Sequence, residues 1–270
     1  MRIGVVAPSG RFADEAAEPL RGIAAEYGAE LHFHAQCTQA HGHFAGTDAQ
    51  RLAAFVEIAN DPGFEAIWFA RGGYGACRIA EAAVAALGPA ARDKAYLGYS
   101  DAGYLLAGLY RAGFPHVAHG PLAQDLLRPG GEAAVRRALA WLAKRAAASL
   151  DRNLQPGDRH AAFNITILGL LLGTALEPDL TDHVLLLEDV AEHAYRTDRA
   201  LFHITAQPRM RTLKGIRLGR VSEVPPNDPD FGATGEEIAR HWCDRSCIPF
   251  LGSADIGHDA DNKVVPFGLL

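Results

Sequence analysis

The alternation of short strand-like runs with helical patterns along the first half of the chain is the feature that most constrains its fold. Runs rich in β-branched, aromatic or small apolar residues predict strands, and helix-forming stretches separate them. One such stretch, between a possible cap at Thr47 or Asp48 and a stop at residues 61–63, carries apolar residues at the i, i+3, i+4, i+7 spacing of a single buried helix face. This order predicts strand-helix-strand units around a parallel sheet. The predicted strands are residues 2–7, 30–33, 66–70 and 95–98.

A polar segment near the middle of the chain predicts a domain boundary. After an alanine-rich helical pattern at 132–148, Pro156 and Gly157 interrupt a polar stretch. We therefore predict an α/β domain at 1–149, a linker at 150–162 and a C-terminal domain at 163–270. The last of these is less regular, with helices predicted at 165–172 and 196–205 and strands at 183–188, 215–221 and 248–251.

Composition narrows the class of protein. With 49% hydrophobic and 21% charged residues among 270, the chain has enough apolar residues for one large core or two modest ones. A net charge of −6 without a long Lys/Arg run argues against nucleic acid or an anionic membrane as a partner. The longest apolar run is far below the roughly 20 residues that a membrane span needs. Four cysteines without a CxxC pair favour a reducing compartment, and we expect a cytoplasmic location.

A serine lies at the end of the fourth predicted strand. The segment Gly98-Tyr99-Ser100-Asp101-Ala102 differs from the G-x-S-x-G nucleophile elbow only in its last residue. At such a turn the hydroxyl projects from the sheet edge, and the following backbone N–H can face an oxyanion. The alternative interpretation is that Ser100 caps the next helix.

A glycine-rich loop, Arg71-Gly72-Gly73-Tyr74-Gly75, follows the third predicted strand. In open α/β sheets ligands bind beyond the carboxyl ends of the strands, where this loop and Ser100 are both expected. The loop does not fit the dinucleotide fingerprint, because its third glycine position is Arg78. Its backbone N–H groups could bind an oxyanion or a carboxylate. A tight turn that requires positive φ explains the glycines equally well.

The second half supplies an acid and a base. Glu188 ends a predicted strand, where it could orient a histidine or remain a solvated or helix-capping acid. His258 lies in a turn-rich segment, which suits either a general base or an ordinary surface histidine. Ser100, Glu188 and His258 together provide the nucleophile, base and orienting carboxylate of acyl transfer. The pairs His32/His34 and His41/His43 lack further ligands at metal-binding spacing, so we predict no metal site.

Several motifs in order resemble the LD-carboxypeptidase family, which includes muramoyl-tetrapeptide carboxypeptidases and microcin-immunity serine peptidases. The resemblance covers most of the chain. It rests on the glycine-rich loop and the serine turn above, together with the segments 119–121, 187–189, 195–199 and 257–266. It implies an N-terminal Rossmann-like parallel-sheet domain and a smaller, mixed, β-rich C-terminal domain.

The resemblance also implies roles for particular residues. Ser100 would be the nucleophile, His258 the general base and acid, and Glu188 its orienting group. The oxyanion would be bound by the backbone N–H groups of Asp101 and Gly73. The segment around Asn164 follows the predicted linker and could line the substrate cleft. A C-terminal carboxylate on the substrate needs a cation or backbone N–H groups nearby, and Arg71 is a candidate for this role or, equally, a structural residue.

The function implied is that of a cofactor-independent serine carboxypeptidase, which hydrolyses the L,D-amide bond of a murein tetrapeptide and releases D-Ala during peptidoglycan recycling. The expected partner is a small peptide or muropeptide, and the expected assembly is a homodimer. Two alternatives remain open. One is a microcin-immunity-like peptidase acting on peptide-nucleotide or acyl-adenylate compounds, and the other is a non-catalytic sensor that binds peptides or muropeptides.

Overall fold

Two mostly parallel sheets organise the computed structural model, which describes residues 1–270. In chain order the strands are β1 (Arg2–Val6), β2 (Glu30–Phe33), β3 (Ala66–Phe69), β4 (Ala95–Gly98), β5 (Val117–His119), β6 (Arg159–Asn164), β7 (His183–Val190), β8 (Gly215–Ser222), β9 (Phe250–Ser253), β10 (Val265–Pro266) and β11 (Gly268–Leu269). The helices are α1 (Ala17–Glu26), α2 (Asp48–Asn60), α3 (Ala80–Ala85), α4 (Gly103–Arg111), α5 (Gly131–Lys144), α6 (Ile165–Leu171), α7 (Ala194–Ala206) and α8 (Gly235–Ser246). The predicted α/β fold class is confirmed.

The first sheet has the strand order β10-β5-β4-β3-β1-β2, and all of its pairs are parallel except β10 with β5. The order reverses between β1 and β3, which makes a topological switch point. The loops that follow β1, β3 and β4 therefore meet at one edge of the sheet. The serine turn and the glycine-rich loop lie at this edge.

The second sheet has the order β11-β6-β7-β8-β9, again parallel except at its short β11 edge. Strand β7 is central and buried along most of its length, from His183 to Asp189. It carries Glu188 near its carboxyl end. One hydrophobic core joins the two sheets, since it includes Tyr96 and Leu106 of the first half together with Phe163 and Leu186 of the second. None of the eight helices combines the length and the apolar character that a transmembrane segment requires.

The segment predicted as a linker is shorter in the structure. Residues 159–162 belong to β6, so only residues 150–158 lack regular structure apart from a single bridge at Leu150. Ala161 and Ala162 are buried in the sheet, and alanine has a low strand propensity, so the sequence did not mark them as a strand. The division into domains at 1–149 and 163–270 stays a prediction.

The last residues of the chain connect both sheets. Val265 and Pro266 pair with β5 of the first sheet, and Gly268 and Leu269 pair with β6 of the second. Between them Phe267, 5% exposed, packs against Phe163 and Tyr110 with ring centroids 5.1 and 5.5 Å apart. The C-terminal segment thus stabilises the contact between the halves.

We expect Phe267→Ala to lower the free energy of unfolding by about 3–5 kcal/mol, because it leaves a cavity between the two sheets. Leu269→Ala is the matched control from the same segment. Its side chain is 68% exposed, so the expected change is within about 0.5 kcal/mol. Urea unfolding of the three proteins measures both changes, and equal effects would contradict a bridging role for Phe267.

A buried histidine joins β5 to the loop that follows β9. His119 is 1% exposed, and its Nε2 lies 3.2 Å from Oδ1 of Asn262, which also accepts a hydrogen bond from the N–H of Gly257. Burial lowers the pKa of His119 to about 4. The neutral ring is therefore the stable form in the folded protein.

This burial predicts a pH dependence of stability. Between pH 6.5 and 4 the unfolded chain binds a proton at His119 more readily than the folded chain, so the free energy of unfolding falls as the pH falls. A pKa difference of this size between the unfolded and the folded chain corresponds to about 3 kcal/mol in the free energy of unfolding. From pH 7 to pH 4, His119→Gln should lose about 3 kcal/mol less stability than the wild type, as measured by urea unfolding. The same substitution at the exposed His241 should leave the wild-type loss unchanged, and equal losses in all three proteins would count against a neutral buried His119.

Candidate active site

Ser100 lies in a strained turn between β4 and α4. Its φ is +58°, in the left-handed region that residues other than glycine seldom adopt. Tyr99 before it is extended, and a 3₁₀ turn at Ser100–Ala102 leads into α4. Neither this turn nor α4 has a side-chain cap, so the alternative that Ser100 caps a helix is wrong. The backbone instead has the geometry of a nucleophile elbow, which directs the hydroxyl outward.

The glycine-rich loop approaches this hydroxyl closely. A Cβ added at Gly72 would lie 2.9 Å from Oγ of Ser100, so a larger residue there would displace the serine side chain. Gly73 has φ +109°, and its N–H donates no hydrogen bond to another backbone group. The N–H of Gly10, after β1, holds the loop through the carbonyl of Gly72 at 3.1 Å. The loop is therefore both a tight turn and a close neighbour of Ser100.

The side chain of Asp101 connects the three loops at this edge. It is 1% exposed, and its Oδ2 accepts hydrogen bonds from Oγ of Ser9 at 2.5 Å and from the N–H of Ala76 at 2.8 Å. Burial raises the pKa of this carboxyl group. The side chain holds the loops after β1, β3 and β4 together, while the backbone N–H of Asp101 directly follows Ser100.

Glu188 and His258 form a buried pair. Nδ1 of His258 lies 2.5 Å from Oε2 of Glu188, and the two side chains are 6% and 0% exposed. Glu188 makes no other ion pair, and its Oε1 has no hydrogen-bond partner. A buried carboxylate in this position fixes the Nδ1–H tautomer and stabilises an imidazolium. The ring of Tyr99 packs against His258 with centroids 4.7 Å apart.

A cavity of about 450 Å³ contains both Ser100 and His258. Neither Glu188 nor Asp101 is among the residues that line this cavity. Another cavity, of about 520 Å³ between α6 and α7, contains neither the serine nor the histidine. The residues that line the first cavity are Arg71, Gly72, Gly73, Tyr99, Ser100, Leu122, Gln124, Asp125, Leu127, Arg128, Val190 and His258.

Asn164 lies outside this cavity. Its Oδ1 accepts the N–H of Ile167 and so caps α6, and its Nδ2 donates to Oδ1 of Asp189 at 2.8 Å. Burial and the neighbouring Glu188 raise the pKa of Asp189 to about 6. The structure therefore places Asn164 as a support for the end of β7, one residue beyond Glu188.

Polar residues of the cavity that the sequence analysis missed include Asp125 and Arg128. Arg128 donates from Nη1 to the carbonyl of His258 at 2.7 Å and from Nε to Asp125 at 2.9 Å. Asp125 is 4% exposed, and burial raises its pKa. The only sequence signal was their i, i+3 spacing, which is too common to indicate a site.

Comparison with known proteins identifies the family. Two family models match, the LD-carboxypeptidase N-terminal domain at residues 3–120 and the LD-carboxypeptidase C-terminal domain at residues 161–270. A relative from Synechocystis sp. that is named as a carboxypeptidase is 32% identical over 279 residues. The match covers 99% of this chain and 89% of the relative. The murein tetrapeptide carboxypeptidase of Pseudomonas aeruginosa is 27% identical over 283 residues, covering 99% and 91%.

Solved structures share the fold. The muramoyltetrapeptide carboxypeptidase from Oxalobacter formigenes superimposes with a TM-score of 0.84 at 23% identity, covering 99% of this chain and 93% of that one. The microcin C7 self-immunity protein MccF gives a TM-score of 0.77 at 18% identity, covering 99% and 91%. Because the two family models match both halves of the chain in order, this protein belongs to the LD-carboxypeptidase family.

Proposed function

We propose that the protein is a serine carboxypeptidase that hydrolyses an L,D-amide bond and releases a C-terminal D-amino acid, such as the D-Ala of a murein tetrapeptide, during peptidoglycan recycling. The observation that carries this proposal is the buried His258–Glu188 pair at 2.5 Å, which opens onto the same cavity as Ser100. The names of the P. aeruginosa and O. formigenes relatives support the substrate class.

We propose one step of the reaction for each group. With Nδ1–H donated to Glu188, the Nε2 of His258 is free to accept the proton of Ser100 as Oγ attacks the scissile carbonyl. The N–H groups of Asp101 and Gly73 stabilise the oxyanion. His258 then protonates the leaving amine, and an acyl-enzyme forms on Ser100. A water molecule, deprotonated by His258, hydrolyses this ester and restores the serine.

A microcin-immunity-like activity has structural support in the MccF fold, one structure of which is a complex with glutamyl sulfamoyl guanosine. Recognition of a nucleobase needs aromatic faces for stacking. Tyr99 is the one aromatic side chain that lines the cavity, and its ring already packs against His258. The muropeptide substrate is therefore the better supported of the two. We further propose a cytoplasmic homodimer, and the four free cysteines suit a reducing compartment.

Ser100→Ala should abolish hydrolysis of a tetrapeptide that ends in D-Ala. Loss of the nucleophile from such a unit costs on the order of 10⁶-fold in kcat. Mass spectrometry of the peptide after incubation measures release of D-Ala, and the L-Ala isomer should remain intact with the wild type. Unchanged turnover in the variant would overturn the proposal. Saturable binding of the peptide without turnover by the wild type would favour the sensor.

Glu188→Gln should lower kcat by on the order of 10⁴-fold with little change in KM, because the neutral amide neither stabilises the imidazolium nor selects the reactive tautomer. The control is Glu236→Gln, which removes an exposed carboxylate paired with Arg240 on α8 and should leave kcat unchanged. Steady-state kinetics on the same tetrapeptide give both numbers. A loss in Glu188→Gln below tenfold would argue against the proposed role of the pair.

A further inference from the structure

Two guanidinium groups line the cavity that contains Ser100 and His258, and they stand at different places in it. Arg71 precedes Gly72 and Gly73 in the loop that approaches the serine hydroxyl. Arg128 is bonded to the backbone of His258. Arg71 is thus next in the chain to the proposed oxyanion donor loop, and Arg128 contacts the residue proposed as the general acid.

The substrate of a carboxypeptidase carries a carboxylate near the bond that breaks. The carboxylate carbon is two bonds from the leaving nitrogen, so a cation that binds it must lie beside the group that protonates this nitrogen. In the proposed mechanism that group is His258. The guanidinium on the His258 side is Arg128.

The guanidinium of Arg128 is held in place with one edge free. Nε donates to Oδ1 of Asp125 at 2.9 Å, and Nη1 donates to the carbonyl of His258 at 2.7 Å. Nη2 donates to no protein atom, and the side chain is 37% exposed. Asp125 is its only ion-pair partner, and that carboxylate is almost fully buried. Two hydrogen bonds therefore orient the guanidinium, and its Nη2 remains available to a ligand in the cavity.

Arg71 is less suited to this task. Its side chain is exposed, and its Nη1 donates to the carbonyl of Arg11 at 2.9 Å, in the loop after β1. Arg71 makes no hydrogen bond to His258. Its guanidinium is held by the loop after β1 and not by the segment that carries His258.

We propose that Nη2 of Arg128 binds the terminal carboxylate of the residue that leaves, and that this contact, which rests on the proposed carboxypeptidase function, restricts the enzyme to the last residue of its substrate. A hydrogen bond between two charged groups is short and directional, and its loss leaves a desolvated carboxylate without a partner. Such a contact is worth about 10- to 100-fold in binding or catalysis.

The test compares a tetrapeptide ending in D-Ala with the same peptide ending in D-alaninamide. The wild type should cleave the free acid with a kcat/KM about 10- to 100-fold above that of the amide. In Arg128→Gln this ratio should fall to near one, through loss of activity on the acid alone, and Arg128→Lys should restore part of it. Arg71→Gln is the matched control, and it should keep the wild-type ratio whatever its effect on turnover.

A second readout separates substrate binding from support of His258. A neutral fluorophosphonate reacts with an activated serine and carries no carboxylate. Arg128→Gln should therefore label Ser100 at the wild-type rate, because Arg137 and Arg220 still hold the loop that carries His258. If labelling falls together with peptidase activity, Arg128 acts by positioning His258 and the proposal is overturned. An acid-to-amide ratio that is unchanged in Arg128→Gln also overturns it.

Direct binding keeps this inference distinguishable from the proposed function. If the wild type cleaves neither peptide, the proposed function fails, and binding of D-alanine and D-alaninamide is then measured by ligand-detected NMR. Binding of D-alanine alone by the wild type, lost in Arg128→Gln and kept in Arg71→Gln, supports the carboxylate site. Equal binding of the two ligands, or binding of neither, contradicts it.

Discussion

The buried hydrogen bond between Glu188 and His258 is the interaction on which the rest of the site depends. Glu188 is fully buried, and His258 is its only ionic partner, so removal of the histidine would leave an uncompensated carboxylate inside the protein. The same burial makes the carboxylate effective, because a low-dielectric surrounding strengthens its influence on the imidazole. Burial of Glu188 thus both makes its unpaired charge unfavourable and strengthens its electrostatic effect on the imidazole.

The loop that carries His258 is fixed by arginines from both halves of the chain. Arg128 and Arg137 of the first half donate to backbone carbonyls of the loop, and Arg220 of β8 forms ion pairs with Asp255 and Asp259. Asn262, bonded to His119 of β5, adds a further contact at the end of the loop. These contacts hold a histidine on an irregular segment in a fixed position.

Local patterns predicted much of the framework. The strands β2 and β4 have their predicted bounds, because buried parallel strands are short runs of apolar residues flanked by clear turn signals. The turn at Ser100 was also predicted from local sequence, because a motif of five consecutive residues forms a turn of this kind. Residues 159–162 of β6 were assigned to a linker, because burial between neighbouring strands, and not strand propensity, makes these alanines a strand. Arg128 was missed because its partner His258 is 130 residues away in the chain.

The sequence by itself determined the α/β class, the strand-to-helix turn at Ser100 and the glycines that let one loop approach it, because these depend on residues close together in the chain. Only the tertiary structure decided that Glu188 meets His258, that both halves contribute to one cavity, and that Asn164 supports β7 outside it. The order of strands in two separate sheets and the return of the C-terminal segment to both produce these contacts. Contacts between distant segments arise from packing of the whole chain, which no local pattern records.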